Sequence, residues 1–551
     1  MLGLKSISIQ PLWLHYASII VDQSVAAPVK ESRGYANGVL VILFLVYVLN
    51  FLDRQILAIL AEDIKADLQI SDADLGFLYG TAFAVFYATF GIPLGRLADA
   101  WNRTHLISLG LGFWSLMTAL SGTAKGFASL ATYRFGVGIG ESSASPAALS
   151  LLYDYYPPHL RTTVVALYAG GVYIGLGCGL FLGGSILDAW AATYPDTSLA
   201  PFGLKGWQVA FMAVGLPGLL LSLVVAKIRE PERGRYDGGA KPIAGSPLKE
   251  VAVSLGSMVP VLNLFMLARG GAKPSLIVVN VVTIALLAVL AWGLILLTGD
   301  VTQWVALAIG VFAAFSWSQS FLLRDPDVFH LLFRSRAMIC LTISAAGVVF
   351  VGVAFAFWSV PLIQRTYEVA NSQVGMVVGL SSAVSGFCGI TFGGILADRL
   401  RQKFVHGKLV VYLAATVGAI IMSSAFLFST TLISAYACLA VLFFFTAMAT
   451  GPAMATINDL NVPRGRATSY AFFTMVTTLI GTAIGPYLIG QVSDVYTAGG
   501  ASPAEALRLA MIWCLALPVG GLLFGIIAFR ALPADEARVR EQSERELLSV
   551  G

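Results

Sequence analysis

Long apolar runs alternate with short polar breaks along almost the whole chain. Fourteen runs have the length of a helix that crosses the hydrocarbon core, which takes about 18 or more apolar residues. They fall into groups of six, two and six, and cover residues 36–60, 73–98, 104–123, 127–153, 161–190, 206–228, 275–298, 301–323, 335–364, 372–397, 408–428, 432–457, 467–491 and 505–531. The pattern therefore predicts an all-α membrane protein with about 14 spans.

One further segment, 247–268, is less apolar than these runs and contains Pro260. We expect it to form an interfacial helix, which lies along the membrane surface rather than across it. An additional span is the alternative.

The composition agrees with a chain that is covered largely by lipid. Hydrophobic residues make up 57% of it and charged residues 12%, whereas a soluble protein has about 25% charged residues. The five cysteines all lie inside apolar runs and the five histidines lie in loops or tails. We therefore expect no disulfide framework, no metal site and no cofactor other than a coupling proton.

The basic residues predict the orientation of the spans. Of 34 Lys and Arg residues, five lie in loops on one side (Lys65, Lys125, Lys205, Arg365 and Arg508), two lie within helices (Arg54 and Arg134), and the other 27 lie on the opposite side. Basic residues are concentrated in cytoplasmic loops. The sequence thus predicts an integral multi-pass protein, of the bacterial inner membrane, with both termini in the cytoplasm.

The breaks divide the chain into five parts. We expect an N-terminal tail at 1–34, a six-helix bundle at 35–230, a second six-helix bundle at 335–531 and a cytoplasmic tail at 532–551. Between the bundles, 231–334 holds a linker, the interfacial helix and the inserted pair of spans. Because the inserted pair has almost no polar groups, we expect it to pack outside the bundles and away from any pathway.

The two bundles repeat short motifs at matching positions. Gly95-Arg96-Leu97-Ala98-Asp99 ends the second helix of one bundle, and Gly394-Ile395-Leu396-Ala397-Asp398 ends the second helix of the other. Arg161-Thr162-Thr163 and Arg466-Ala467-Thr468 follow the two fourth helices. Duplicated six-helix halves with a site between them are typical of transporters that expose that site to the two sides in turn.

These motifs resemble known families. Gly95-x-Leu97-Ala98-Asp99-x-x-Asn102-Arg103 and Arg134-x-x-x-Gly138-x-Gly140-Glu141 are similar to motifs of the major facilitator superfamily. Asn50-Phe51-Leu52-Asp53-Arg54 and Gly138-Ile139-Gly140-Glu141-Ser142 resemble its spinster family. Ala100 and Thr104 depart from the basic residues common in the superfamily loop, and the inserted pair is not a general feature.

The resemblance implies a fold, a cargo and a gate. The fold is that of the superfamily, and the cargo is a lysophospholipid or a sphingolipid phosphate, with sugars proposed for some members. The loop after the second helix is implied to hold the outward-facing state closed. The residues expected to take part are Gly95, Asp99, Arg103, Asp398, Arg399 and Arg161; simple interfacial charge is the alternative for them.

Four ionisable side chains lie at membrane depth: Asp53, Arg54, Arg134 and Glu141. Each costs about 2.5–3.5 kcal/mol to insert, so a functional reason is expected. Arg134 and Glu141 are two helical turns apart and project from one face. We expect these groups to form a protonation switch, with Glu141 ahead of Asp53, which instead holds Arg54 in place. The alternative is a static buried ion pair that fixes helix packing.

The second bundle has no charged residue well inside its helices but many aromatic and methionine side chains. We expect an amphipathic substrate to place its head group on Arg54 and Arg134 and its tail on an apolar wall. The residues predicted for that wall are Phe357, Trp358, Phe444 and Met448. The alternative is that these side chains face lipid or other helices.

Together these features predict a proton-coupled secondary transporter, an exporter of amphipathic lipids that works by proton antiport and as a monomer. The same fold with a sugar, drug or organic anion as cargo is the nearest alternative. A membrane-embedded lipid-modifying enzyme is a second alternative, against which stands the absence of a nucleophile–base cluster; we expect no catalytic residues. No P-loop occurs, which argues against ATP as the energy source, and no feature indicates a nucleic-acid partner.

Overall fold

The computed structural model describes residues 32–236, 247–270, 273–324, 326–462 and 465–550, so most of the predicted N-terminal tail lies outside the described residues. The first half is built of eight helices, which are α1 (Arg33–Leu68), α2 (Asp72–Tyr79), α3 (Thr81–Ala100), α4 (Arg103–Ser121), α5 (Phe127–Glu141), α6 (Ala144–Tyr155), α7 (Pro158–Thr193) and α8 (Gly206–Val225). Two of the six predicted spans are therefore each made of two helices, α2 with α3 and α5 with α6.

The break between α5 and α6 follows from the sequence around Pro146. A proline in a helix lacks the N–H that would bond the carbonyl four residues earlier and collides with that carbonyl. The Ser142 and Ser143 hydroxyls donate to the carbonyls of Ile139 and Gly140, at 2.7 and 2.8 Å. Helix α5 consequently ends at Glu141, in the interior of the bundle.

The insertion and the second half follow in chain order. The insertion contains α9 (Pro247–Met258), α10 (Pro260–Arg269), α11 (Pro274–Thr298), α12 (Val301–Arg324) and α13 (Pro326–Arg334). The second half contains α14 (Arg336–Tyr367), α15 (Asn371–Arg401), α16 (Gly407–Leu427), α17 (Leu432–Asp459), α18 (Arg466–Thr477), a π-helical turn (Thr478–Ile484), α19 (Gly485–Ala498), α20 (Pro503–Cys514) and α21 (Ala516–Val550).

The prediction of an all-α membrane protein is confirmed. Twelve helices within the described ranges are long and apolar enough to cross a membrane. The two remaining predicted spans are present as α4 and as the broken pair α5 and α6. Residues 532–550 of the predicted tail form the end of α21, where the Asp535 carboxylate accepts hydrogen bonds from Ser335 and Ala337 at the start of α14.

The segment 247–268, for which the sequence predicts an interfacial helix, forms two helices rather than one. Helices α9 and α10 meet at a bend of 114°. Met258, at the end of α9, is buried beside Ile92 in the middle of α3 and Ala313 in the middle of α12. The segment thus penetrates to mid-span and turns back, because Pro260 ends the run of backbone hydrogen bonds that a single helix would need.

The insertion packs outside the bundles, along the junction between the two halves. Gly310 of α12 is close to Val85 of the first half and to Leu479 of the second half. Polar pairs join the inserted helices to one another: Asn263 donates to Ser316 at 2.6 Å and Asn280 donates to Gln319 at 2.8 Å. Such pairs hold helices together where lipid supplies no hydrophobic driving force.

The two halves are in contact toward one face and separate toward the other. Helices α7 and α15 approach so closely that a Cβ on Gly177 would lie 2.8 Å from the Gly379 carbonyl oxygen. Farther along the same helices, Gly170 and Gly394 have no atom within 4 Å of an added Cβ. We call the face beyond Gly177, which holds Asp72 and Arg365, the closed face, and the opposite one the open face.

Candidate coupling and substrate site

The central feature of the site is an ion pair between α1 and the end of α5. Arg54 donates from Nε to Glu141 Oε2 at 2.6 Å; the Glu141 side chain is fully buried and that of Arg54 is 20% exposed. The guanidinium also lies over the rings of Phe51, Phe83 and Tyr87, with its carbon 4.2–4.8 Å from the ring centroids. Aromatic faces attract a cation, so the apolar surroundings still stabilise Arg54.

Glu141 occupies an unfavourable place for a negative charge. It is the last residue of α5, where the free carbonyl groups of a helix carry partial negative charge. Its Oε1 atom is buried and has no hydrogen-bond partner among the described residues. Arg54 therefore offsets both the burial of the carboxylate and the carbonyl end of α5, and any movement that separates the pair removes the hydrogen-bonded cation of Glu141.

Asp53 and Arg134 form a second cluster beside this pair. Arg134 is buried and donates to two main-chain carbonyls, those of Leu78 and Asp53, both at 3.3 Å. The Asp53 carboxylate accepts from the Thr118 hydroxyl at 3.2 Å. The four charged residues thus lie together where the first and fourth spans meet, but the side-chain partner of Asp53 is Thr118 rather than Arg54.

A cavity of about 290 Å³ lies between the two halves next to Arg54. Its walls come from α1, α2, α3 and α7 of the first half and from α14, α15, α17 and the π-helical turn of the second. Arg54 is the one charged side chain among the described residues that line it. No three His, Cys, Asp or Glu side chains of the described chain lie together as a metal site would require.

Arg134, which was predicted to bind substrate with Arg54, does not line the cavity. It is 1% exposed and its guanidinium donates to main-chain carbonyls. The reason is its position on α5, behind α1 as seen from the cavity, where the backbone rather than a ligand satisfies its N–H groups. Of the two arginines, only Arg54 is among the described residues that line the cavity.

The apolar wall is also made of different residues from those predicted. Phe443, Thr446, Ala447 and Thr450 line the cavity, and their spacing places them on one face of α17. Phe444 and Met448 face away, because their carbonyl groups lie against Gly389 and Gly393 of α15. The two predicted residues of α17 therefore do not line this cavity, and α17 has large apolar side chains on all its faces.

Phe357 and Trp358 lie above the cavity, toward the closed face, and do not line it. Phe357 stacks on Tyr79 of the first half with ring centroids 4.3 Å apart, and Trp358 donates to the Pro486 carbonyl at 2.8 Å. Gln55 completes this layer: it donates to the Ala356 carbonyl and accepts from the Tyr79 hydroxyl, both at 2.9 Å. These contacts close the cavity from above.

A charged network seals the closed face, and the sequence reasoning did not assign it a role. Arg365 of α14 donates to Asp72 at 2.7 Å and to Glu62 at 2.8 Å, which joins the second half to the first. Asp494 of α19 accepts from the main-chain N–H groups of Asp72 and Ala73. Arg365 is among the few basic residues predicted on this side of the membrane. This unusual position was the sign in the sequence that Arg365 has a specific role.

The six predicted gating residues all lie at the open face. Arg103 is buried and donates to Asp154 at 2.5 Å and to Glu230 at 2.7 Å, while Arg161 donates to the Tyr153 carbonyl at 3.0 Å. The main-chain oxygen of Asp99 accepts from Arg233. The side chains of Asp99, Asp398 and Arg399 are exposed and Gly95 is half-buried beside Pro146. Their gating role stays a prediction.

Residues 43–486, well over half of the chain, match the family model described as Major Facilitator Superfamily. The chain belongs to the major facilitator superfamily. The superfamily fold that the motifs implied is thereby confirmed.

Among its relatives in the superfamily, the protein is 24% identical over 494 residues to an MFS-type efflux pump of Mycolicibacterium smegmatis (strain ATCC 700084 / mc(2)155), which covers 89% of this chain and 92% of the relative. It is 24% identical over 501 residues to the sphingosine-1-phosphate transporter SPNS2 of Danio rerio, covering 87% of this chain and 81% of the relative.

A solved structure of a bacterial homologue of the human lysosomal transporter Spinster, in an inward-facing and unoccupied conformation, matches with a TM-score of 0.70 and 25% identity. The match covers 92% of this chain and 99% of that chain. The spinster resemblance predicted from the motifs is confirmed by these relatives. The protein is therefore a multi-pass membrane transporter of the superfamily and of the spinster type.

Proposed function

We propose that this transporter is proton-coupled and exports an amphipathic anion, of the lysophospholipid or sphingolipid-phosphate class, by proton antiport. The observation that carries the proposal is the double position of Arg54. Its side chain lines the central cavity and donates to Glu141 at 2.6 Å. One guanidinium is thus in reach of both the substrate head group and the carboxylate that would carry the proton.

The proton argument rests on the burial of Glu141. Arginine stays protonated in proteins, so Glu141 and Asp53 are the groups of this site that can exchange a proton. A buried carboxylate is stable as an anion only while a cation or hydrogen bonds compensate it. When a conformational change draws Arg54 away, Glu141 takes up a proton, and when the pair forms again, the proton is released.

The substrate argument rests on the cavity walls. A single cation in a lining that is otherwise apolar and weakly polar suits a ligand with one anionic group and an apolar remainder. The cavity volume of about 290 Å³ is close to the lower limit for ligand pockets, which measure about 300–1,000 Å³. The similarity to a sphingosine-1-phosphate transporter supports the lipid class.

The nearest alternative is a drug or another organic anion as cargo, and the similarity to an MFS-type efflux pump favours it. A sugar fits the walls less well. The hydroxyl groups of Thr446 and Thr450 donate to carbonyls of their own helix, so they have only acceptor capacity left for a polyol.

The difference between the closed and the open face supports alternating access. In the arrangement described, the halves touch at the closed face and separate at the open face. The basic residues concentrate on the open side, which supports a cytoplasmic location for it by the positive-inside rule. The state is then inward-facing, in a bacterial inner membrane, with the transporter working as a monomer.

The test is transport in liposomes that contain the purified protein and an imposed pH gradient. Labelled lysophospholipid and a labelled sugar are offered separately, and protein-free liposomes serve as the control. We expect the gradient to stimulate transport of the lysophospholipid and not of the sugar. Equal stimulation of both, or lysophospholipid transport that ignores the gradient, contradicts the proposal.

A further inference from the structure

At the closed face, the carboxylate of Asp494 on α19 binds the N-terminal end of α2. Asp494 Oδ1 accepts from the Asp72 N–H at 3.0 Å, and its Oδ2 accepts from the Ala73 N–H at 2.8 Å. The first N–H groups of any α-helix have no partner within the helix and carry partial positive charge. Asp494 thus supplies both hydrogen bonds and charge compensation to α2.

The surroundings of Asp494 show that this contact requires a close fit between the halves. Gly490, one turn earlier on α19, lies so near the Asp72 carbonyl that an added Cβ would collide with it. Ser493 donates to the Asp72 carboxylate at 2.7 Å. Asp72 is compensated by Arg365 and Lys65, at 2.7 and 2.5 Å, so the two neighbouring carboxylates have different partners.

The same pair of spans carries a second aspartate, which lies on α3 at the open face. The span α2–α3 runs from Asp72 at the closed face to Asp99 at the open face, and the span α18–α19 runs the opposite way, from Arg466 to Asp494. Asp99 therefore corresponds in position to Asp494, and the first turn of α18 corresponds to the first turn of α2. In this state Asp494 is engaged, whereas the Asp99 side chain is exposed and Gly91 of α3 has open space around it.

We propose that Asp494 is a latch that holds the closed face shut by capping α2, and that it alternates with Asp99 at the opposite end of the same pair of spans. The latch rests on the alternating access of the proposed function, but it needs neither the proton nor the identity of the cargo. Opening the closed face removes two charge-assisted hydrogen bonds, and closing the open face provides Asp99 with a helix end of its own.

The test is the distance across the closed face, measured by double electron–electron resonance in nanodiscs without substrate or pH gradient. Spin labels are placed at Phe202 and Ile433, which are 98% and 81% exposed on different halves, in a variant without native cysteines. We expect Asp494→Asn to raise the ratio of the long-distance to the short-distance population by about tenfold, the size of effect that a charged hydrogen bond carries.

Two variants make the measurement specific. Asp196→Asn removes an exposed aspartate of the same face whose hydrogen bond, among the described residues, is to Ser198 of its own loop, and it should leave the ratio unchanged. Asp99→Asn should lower the ratio, because it weakens the opposite latch. If Asp494→Asn gives no folded protein, Gly490→Ala, which pushes α19 away from Asp72, must raise the ratio instead.

A ratio in Asp494→Asn equal to that in Asp196→Asn overturns the proposal, and so does a shift of Asp99→Asn in the same direction as Asp494→Asn. Because no gradient is applied, the result does not depend on proton coupling. A shifted ratio together with gradient-independent transport would reject the proposed coupling and retain the latch.

Discussion

Arg54 and Glu141 are joined by a hydrogen-bonded ion pair of 2.6 Å, and the same arginine side chain lines the cavity between the halves. Their helices place them there for separate reasons: α1 carries Arg54 among aromatic rings, and Pro146 makes α5 end at Glu141. Arg54 thus contacts both the cavity and the buried carboxylate of Glu141.

The pair should be strongly coupled in its effect on stability. Removing one partner of a buried ion pair costs about 3–5 kcal/mol, because the other charge stays buried without compensation. We expect Arg54→Gln to lower the free energy of unfolding by about this amount, and the double change with Glu141→Gln to recover part of it. Thermal unfolding in detergent measures this; effects that simply add would contradict the coupling.

The two neighbouring phenylalanines of α17 should behave differently. Phe443 lines the cavity, whereas Phe444 packs against Phe392 of α15 with ring centroids 5.9 Å apart. We expect Phe443→Ala to weaken substrate binding about tenfold or more and Phe444→Ala to leave affinity nearly unchanged, while both lower thermal stability because each ring packs in the protein interior. Binding and melting curves of both variants check this, and the reverse pattern would refute the assignment of faces.

The insertion should contribute to the closed face. Tyr487 of the second half donates its hydroxyl to Asp300, in the loop between α11 and α12, at 2.5 Å. Tyr487→Phe removes this bond and keeps the ring that packs on Trp304. We expect a two- to tenfold rise in the long-distance population between Phe202 and Ile433, as for the loss of one hydrogen bond. An unchanged distribution would mean that the insertion does not hold the halves together.

The orientation of the chain is testable in cells. Phe202 lies at the closed face and Phe404 in the loop after α15 at the open face; both are exposed. With the native cysteines replaced, a membrane-impermeant maleimide added to intact cells should label Phe202→Cys and spare Phe404→Cys. Labelling of both after lysis is the control. The opposite pattern would place the termini outside.

Much of the fold could be predicted because each span is a long apolar run and the two halves repeat their motifs. The four charged residues at membrane depth could also be identified from the sequence, since an ionisable residue in such a run is rare. The face of α17 that lines the cavity could not be predicted, because Phe443, Phe444 and Met448 are equally apolar. The contact of Asp494 with α2 joins residues 421 and 422 positions apart, a pairing that only the packed halves create.

The measurement that tests the central claim most directly is pH-driven transport by Glu141→Gln in liposomes. Glu505→Gln, at an exposed glutamate near the start of α20, is the matched control. We predict that wild type and Glu505→Gln accumulate labelled lysophospholipid in response to the gradient, whereas Glu141→Gln only equilibrates it. A Glu141→Gln variant that folds and still accumulates substrate in response to the gradient would contradict the assignment of Glu141 as the proton switch.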